Sequence, residues 1–112
     1  MRWNKSSPIY LQIKDKICCA ILDGHLQEGD NVTSIREFSS QYHVNPLTVS
    51  KAYQLLVDED ILLKRRGLGM VVNANAQQKL LKQQRQQFIE NEWPSVLATI
   101  KRLKLNIEEL LS

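Results

Sequence analysis

The sequence predicts a mainly α-helical chain that carries one small β-hairpin. Two short amphipathic segments, each opened by its own capping signal and separated by about three residues, have the spacing of a helix-turn-helix. The apolar period then changes from helical to strand-like on either side of Arg66-Gly67-Leu68-Gly69, whose glycines let the backbone reverse. Beyond residue 73 the composition shifts to a glutamine-rich, glycine-free stretch with apolar residues at helical intervals. These observations predict a winged helix-turn-helix over residues 1–73 followed by a short all-helical tail over residues 74–112, one ordinary domain with an appendage.

Ser7-Pro8 opens the first helix, with serine as cap and proline in a first turn that needs no amide donor. Tyr10, Ile13, Ile17 and Ile21 recur at helical spacing and Gly24 stops the run, so the helix is expected over about residues 8–23. Gly29, Asp30 and Asn31 break regular structure and make the next stretch a linker. Ser34-Ile35-Arg36-Glu37 then reads as a capping box, and the second helix runs to about Tyr42 with Ile35 and Phe38 inward. Asn45-Pro46 repeats the start signal. In the third helix Val49, Ala52, Tyr53, Leu56 and Val57 form one apolar face, leaving Leu47, Thr48, Ser50, Lys51 and Gln54 largely on the other. The runs Ile61-Leu62-Leu63-Lys64-Arg65 and Met70-Val71-Val72-Asn73 supply the two strands.

In the tail, Leu80, Leu81, Phe88 and Ile89 mark one helix, and Gln84 and Arg85 interrupt its stripe. Trp93, Val96, Leu97, Ile100 and Leu103 mark a second, with Pro94 near its first turn, and Asn106 caps a last short helix holding Ile107, Leu110 and Leu111. None of these helices has a core of its own, so their faces are expected to meet another chain through Leu81, Phe88, Trp93, Leu97 and Ile100.

Composition narrows the functional classes. The longest apolar runs, residues 17–22 and 61–63, fall far short of the roughly 18 residues that cross a bilayer, so no membrane partner is expected. Residues 1–7 are polar apart from Trp3 and lead into no apolar h-region, so a cytoplasmic location without a secretory leader is expected. Cys18 and Cys19 are neighbours whose side chains point about 100° apart on a helix, which suits two small buried positions better than a disulfide or a chelate. His25 and His43 have no ligand-type neighbour at metal spacing, so no metal is expected. There is no Gly-rich phosphate loop, His-x-x-Glu pair or Gly-x-Ser-x-Gly elbow, so neither catalysis nor a cofactor is expected. The net charge of +3 permits a nucleic-acid partner. Its distribution says more, because the acidic Asp58, Glu59 and Asp60 are followed at once by Lys64, Arg65 and Arg66, beside the glycines of a protruding loop suited to phosphate.

The order of motifs resembles the GntR family of bacterial transcriptional regulators, and within it the short YtrA-like subfamily. The resemblance is carried by Pro8-Ile9-Tyr10-Leu11-Gln12-Ile13, Gly24-His25-Leu26-Gln27-Glu28-Gly29-Asp30, Thr33-Ser34-Ile35-Arg36-Glu37, Val44-Asn45-Pro46-Leu47-Thr48-Val49-Ser50-Lys51-Ala52-Tyr53 and Arg65-Arg66-Gly67-Leu68-Gly69, over about residues 8–73. It implies that Ser34 and Arg36 at the start of the second helix approach DNA. It also implies that Asn45, Pro46, Leu47, Thr48, Ser50 and Lys51 face the major groove, and that Arg65, Arg66 and Gly67 form a wing tip near the minor groove. Two departures stand out: Thr33 replaces a proline common in the family, and Pro46 or Ser50 stands where many members carry an arginine. For Arg36 the competing reading is a surface arginine paired with Glu37 or Asp30. The tail resembles the compact dimerisation helices of the subfamily and leaves room only for a small effector site or none. The expected function is a transcriptional regulator, a repressor by resemblance, that binds an inverted-repeat operator in double-stranded DNA as a homodimer. A winged helix used as a protein-interaction module is the alternative, and RNA binding is disfavoured because the wing carries no aromatic side chain for base stacking.

Overall fold

Helix α1, Ile9–Leu22, buries Ile13, Ile17, Cys18 and Ile21 along one face. The computed structural model describes residues 3–112, so Met1 and Arg2 of the polar N-terminus lie outside the described residues. Ser7 does not cap α1 as the sequence suggested. Pro8 is itself the flanking residue, with φ −58° and ψ 145°, and no side chain caps the helix. Gln12 organises the lead-in instead, its Nε2 donating to the carbonyls of Asn4 (2.9 Å) and Ser7 (2.8 Å) while its Oε1 accepts from Asn4 N–H (3.0 Å). Gly24 ends the helix at φ +84°, and the N–H groups of His25 and Leu26 both reach Ala20 O, at 2.9 and 3.1 Å. Only Cys18 of the cysteine pair is buried, because the next position on the helix turns Cys19 into solvent.

Helix α2, Ile35–Tyr42, starts where Ser34 Oγ accepts from Glu37 N–H at 3.1 Å, the forward half of the capping box, and it buries Phe38. The turn that follows relies on His43 at φ +55° and on Val44, whose N–H reaches Ser39 O at 3.2 Å and whose carbonyl accepts from Ser39 Oγ at 2.5 Å. Helix α3, Pro46–Asp58, is capped by Asn45 Oδ1 accepting from Leu47 N–H at 2.8 Å, and it buries Val49, Ala52, Tyr53 and Leu56. Tyr53 Oη donates to Thr33 O at 2.5 Å, tying α3 to the strand-like segment ahead of α2.

Strands β1, Leu62–Arg65, and β2, Gly69–Val72, pair antiparallel with Leu62 opposite Val72 and Arg65 opposite Gly69. The stretch expected to be a plain linker is part of this wing. Asn31 bridges Val71, Val32 N–H donates to Met70 O at 2.9 Å, and Val72 N–H returns to Asp30 O at 2.9 Å.

Helix α4, Ala76–Gln87, begins inside the same core, where Ala76 and Leu80 are buried. Gln77 Nε2 donates to Ile21 O and Leu22 O, both at 3.3 Å, and Lys79 Nζ donates to Glu59 O at 2.7 Å. The first compact unit therefore runs through Leu80, beyond the boundary that composition placed at Asn73. The second unit is Leu81–Ser112. Its α4 residues pass into a π-helical turn, Phe88–Glu92, and then into α5, Trp93–Arg102. The sequence suggested two separate helices here. Pro94 has no N–H for the carbonyl four residues back and its ring crowds that carbonyl, so the helix widens rather than breaks. Asn106 Oδ1 accepts from Glu108 N–H at 2.9 Å and caps α6, Ile107–Leu111, as expected. No residue of the second unit is buried. Among the described residues no helix is long and apolar enough to cross a membrane.

Candidate nucleic-acid interface

The outward face of α3 follows from helix arithmetic. Ser50, Lys51 and Gln54 stand three, four and seven residues after Leu47, so each lies within about 60° of Leu47 and the four span an arc of about 100°, on the opposite side from buried Val49 and Ala52. Leu47 is 78% exposed, Ser50, Lys51 and Gln54 are exposed, and Thr48 is half-buried at the edge of the face. Asn45 and Pro46 stand exposed at its start, with Asn45 Oδ1 already engaged as the cap. Lys51 Nζ lies 3.9 Å from the centroid of the Tyr10 ring, and Gln54 Nε2 donates to Asp58 Oδ1 at 2.8 Å. Gln54 shares this exposed face at a spacing of seven from Leu47, a signal already present in the sequence.

Arg36 is exposed on the first turn of α2, next to Ser34, whose hydroxyl serves the helix. Arg65, Arg66 and Gly67 are exposed at the wing tip. Gly67 and Gly69 adopt φ +82° and +81°, and Leu68 N–H closes the turn on Arg65 O at 3.0 Å. Asn31 Nδ2 donates to Leu68 O, which clamps the tip to the strand leading into α2. The start of α2 and the wing thus face one cleft of about 570 Å³, lined by Asn31, Ser34, Ile35, Glu37, Lys64 and Met70.

The charges of this region are sorted. Among the described residues the ion pairs are Lys14–Glu59 at 2.5 Å and Lys79–Asp60 at 3.7 Å. With Asp58 held by Gln54, the acidic cluster is satisfied within the fold. Arg36, Lys64, Arg65 and Arg66 enter no ion pair among the described residues, so the pairing of Arg36 with Glu37 or Asp30 does not form. Unpaired guanidinium and ammonium groups on a helix start and a protruding loop are what a polyanion neutralises. No three His, Cys, Asp or Glu side chains gather as a metal site among the described residues.

The five tail positions belong to the second unit. Leu81 and Phe88 are exposed, while Trp93, Leu97 and Ile100 are half-buried at intervals of four and three along one side of α5. The Phe88 and Trp93 rings stand 6.4 Å apart.

A trihelical core with a two-stranded wing, a helix-turn-helix and unpaired cations at the helix start and wing tip defines a winged helix-turn-helix of the DNA-binding class. Residues 9–72 match the bacterial regulatory proteins of the gntR family, and the chain belongs to that family. The HTH-type transcriptional repressor YtrA of Bacillus subtilis (strain 168) is 40% identical over 76 residues, which is 68% of this chain and 58% of YtrA, so the chain spans less than two thirds of that relative. A solved GntR family transcriptional regulator from Listeria monocytogenes is similar at TM-score 0.77 and 29% identity, over 97% of this chain and 94% of that one. The DNA-binding domain of AraR, solved in complex with operator ORR3, is similar at TM-score 0.57 and 26% identity, over 64% of this chain and 87% of that one. The chain is a short, YtrA-like GntR regulator.

Proposed function

We propose that the protein is a sequence-specific transcriptional repressor that binds an inverted-repeat operator as a homodimer. The observation that carries this reading is a set of cations without ion pairs: the acidic run Asp58, Glu59 and Asp60 ahead of the wing is engaged within the fold, while Arg36, Lys64, Arg65 and Arg66 at the helix start and the wing enter no ion pair among the described residues. In this reading Asn45, Pro46, Leu47, Thr48, Ser50 and Lys51 enter the major groove, joined by Gln54. Ser34 and Arg36 meet the backbone or a base edge at the start of α2, and Arg65, Arg66 and Gly67 meet the minor groove. The operator complex of the similar AraR domain supports a DNA ligand, and the name of YtrA supports repression. A DNA ligand in a bacterium also implies the cytoplasm.

The dimer rests on the second unit. Its helices bury no residue, and an amphipathic segment of that length gains stability only by covering its apolar side. Leu81, Phe88, Trp93, Leu97 and Ile100 are proposed to meet the same residues of a second copy. Two-fold symmetry then requires half-sites about one DNA turn apart, or a multiple of it.

The test is selection of bound fragments from a random duplex library by the full chain, with sedimentation of the same sample. An enriched inverted repeat and a dimer support the proposal. Retention that is indifferent to sequence favours a protein-interaction module instead.

A further inference from the structure

Among the described residues of the first unit, Leu47 is the most exposed large hydrophobic one, at 78%, against 55% for the next, Leu68. It has no way into the core. Val49, two residues on and about 200° round the helix, is completely buried, so the Leu47 side chain stands on the far side of α3 from every apolar partner. Its backbone is also fixed, since Pro46 sets the first helical φ and Leu47 N–H is held by Asn45 Oδ1 at 2.8 Å. A branched apolar side chain is therefore presented rigidly to solvent at the start of the recognition helix.

Its surroundings narrow the occupant. The rest of the face, Ser50, Lys51 and Gln54, is polar, so there is no contiguous apolar patch of the kind a protein partner covers. Helix α3 contains no arginine, so the bidentate reading of guanine by a guanidinium is not available along it. Among the groups displayed in the major groove, one is apolar: the 5-methyl of thymine. We propose that Leu47 is a specificity-determining residue that seats its methyl groups against the 5-methyl group of a thymine in each half-site. The inference rests on the DNA-binding reading above and adds to it the chemistry of one contact.

Deoxyuridine differs from thymidine by that methyl alone, which makes the test local. The full-length protein first selects its operator, and each thymine is then replaced singly by deoxyuridine. At one position per half-site the replacement weakens wild-type binding by about fourfold, the value of one buried methyl group. The same replacement leaves the affinity of Leu47→Ala unchanged, because the partner of the methyl is already gone. Leu47 being exposed, the variant keeps the wild-type circular dichroism spectrum and unfolding midpoint. The proposal is overturned if every deoxyuridine is neutral for the wild type, or if the loss persists undiminished in Leu47→Ala. A library from which no sequence is enriched would overturn the DNA reading itself, a result separable from the other two.

Discussion

The ammonium of Lys51 lies 3.9 Å from the centre of the Tyr10 ring, so helix α3 carries a cation braced by an aromatic side chain of α1. A cation over an aromatic face at an exposed site is worth about 0.5 to 1 kcal/mol, and it holds a flexible side chain in one arrangement. Lys51→Met is expected to destabilise the fold by about that amount in the wild type and by nothing measurable in Tyr10→Leu, whereas Tyr10→Phe keeps the full effect. Urea unfolding of the four chains of this cycle checks it. Equal losses from Lys51→Met in both backgrounds would remove the contact.

The free cations predict two different signatures in binding. If Arg66 touches phosphate, Arg66→Ala lowers the slope of log affinity against log salt by about one unit and weakens all sequences alike. If Arg36 reads a base edge, Arg36→Ala costs about 1 to 3 kcal/mol on the operator and little on random duplex. Binding isotherms at several salt concentrations on both duplexes separate these outcomes, and unchanged curves would reject the assignments.

Much of this was legible in the sequence because its signals are local. Ser34 and Asn45 cap the helices they were expected to cap, His43 and Val44 form the turn between them, and Asn106 starts α6. What was not legible depended on distant partners. Residues 29–32 read as a linker because their pairing with Met70, Val71 and Val72 lies far along the chain. Ala76 and Leu80 read as tail because composition changes at residue 74, while packing against the winged core continues to Leu80. The two cysteines read alike, and only the orientation of α1 separates them. The freedom of Arg36 from Glu37 and Asp30 was likewise a matter of geometry.

That separation predicts different thiol chemistry. Burial pushes the Cys18 thiol up from 9.0 to about 11, and its side chain is enclosed by the core. The Cys19 thiol is raised too, by partial desolvation and then by the Asp15 and Asp23 carboxylates, yet it stands in solvent. A disulfide reagent added to the native protein at pH 8 is expected to modify one thiol, abolished by Cys19→Ser, with the second reacting only on unfolding. Rapid modification of both in the folded state would contradict the packing of α1.

Tyr53 links stability to alkaline pH. Its phenol is pushed up from 10.0 to about 12, first by burial and then by the neighbouring Tyr42, and it donates to Thr33 O at 2.5 Å. The folded state therefore holds this proton more tightly than the unfolded chain. The stability it contributes is complete below about pH 10 and is lost as the pH rises towards about 12. Tyr53→Phe is expected to be less stable at neutral pH by about 0.5 to 1.5 kcal/mol and to decline less steeply across that window. Parallel pH profiles for the two proteins would exclude the linkage.

The packing of α4 predicts where the chain can be shortened. Ending it at Gln87 keeps Ala76 and Leu80 in the core, Gln77 on the end of α1 and Lys79 on the Glu59 carbonyl, while removing the apolar residues from Phe88 onward. Ending it at Asn73 removes those anchors as well. Loss of a buried leucine costs about 2 to 5 kcal/mol, a large share of the 5 to 15 kcal/mol typical of a domain. The chain ending at Gln87 is therefore expected to unfold cooperatively near the full-length midpoint, and the chain ending at Asn73 to be several kcal/mol weaker. If the second unit joins two copies, the chain ending at Gln87 also sediments as a monomer and loses the affinity gained by tethering two binding modules, a factor of about 100 or more. Equal stability of the two shortened chains would show that the first turn of α4 does not hold the core. A dimer that survives removal of everything after Gln87 would show that Phe88, Trp93, Leu97 and Ile100 do not join the copies.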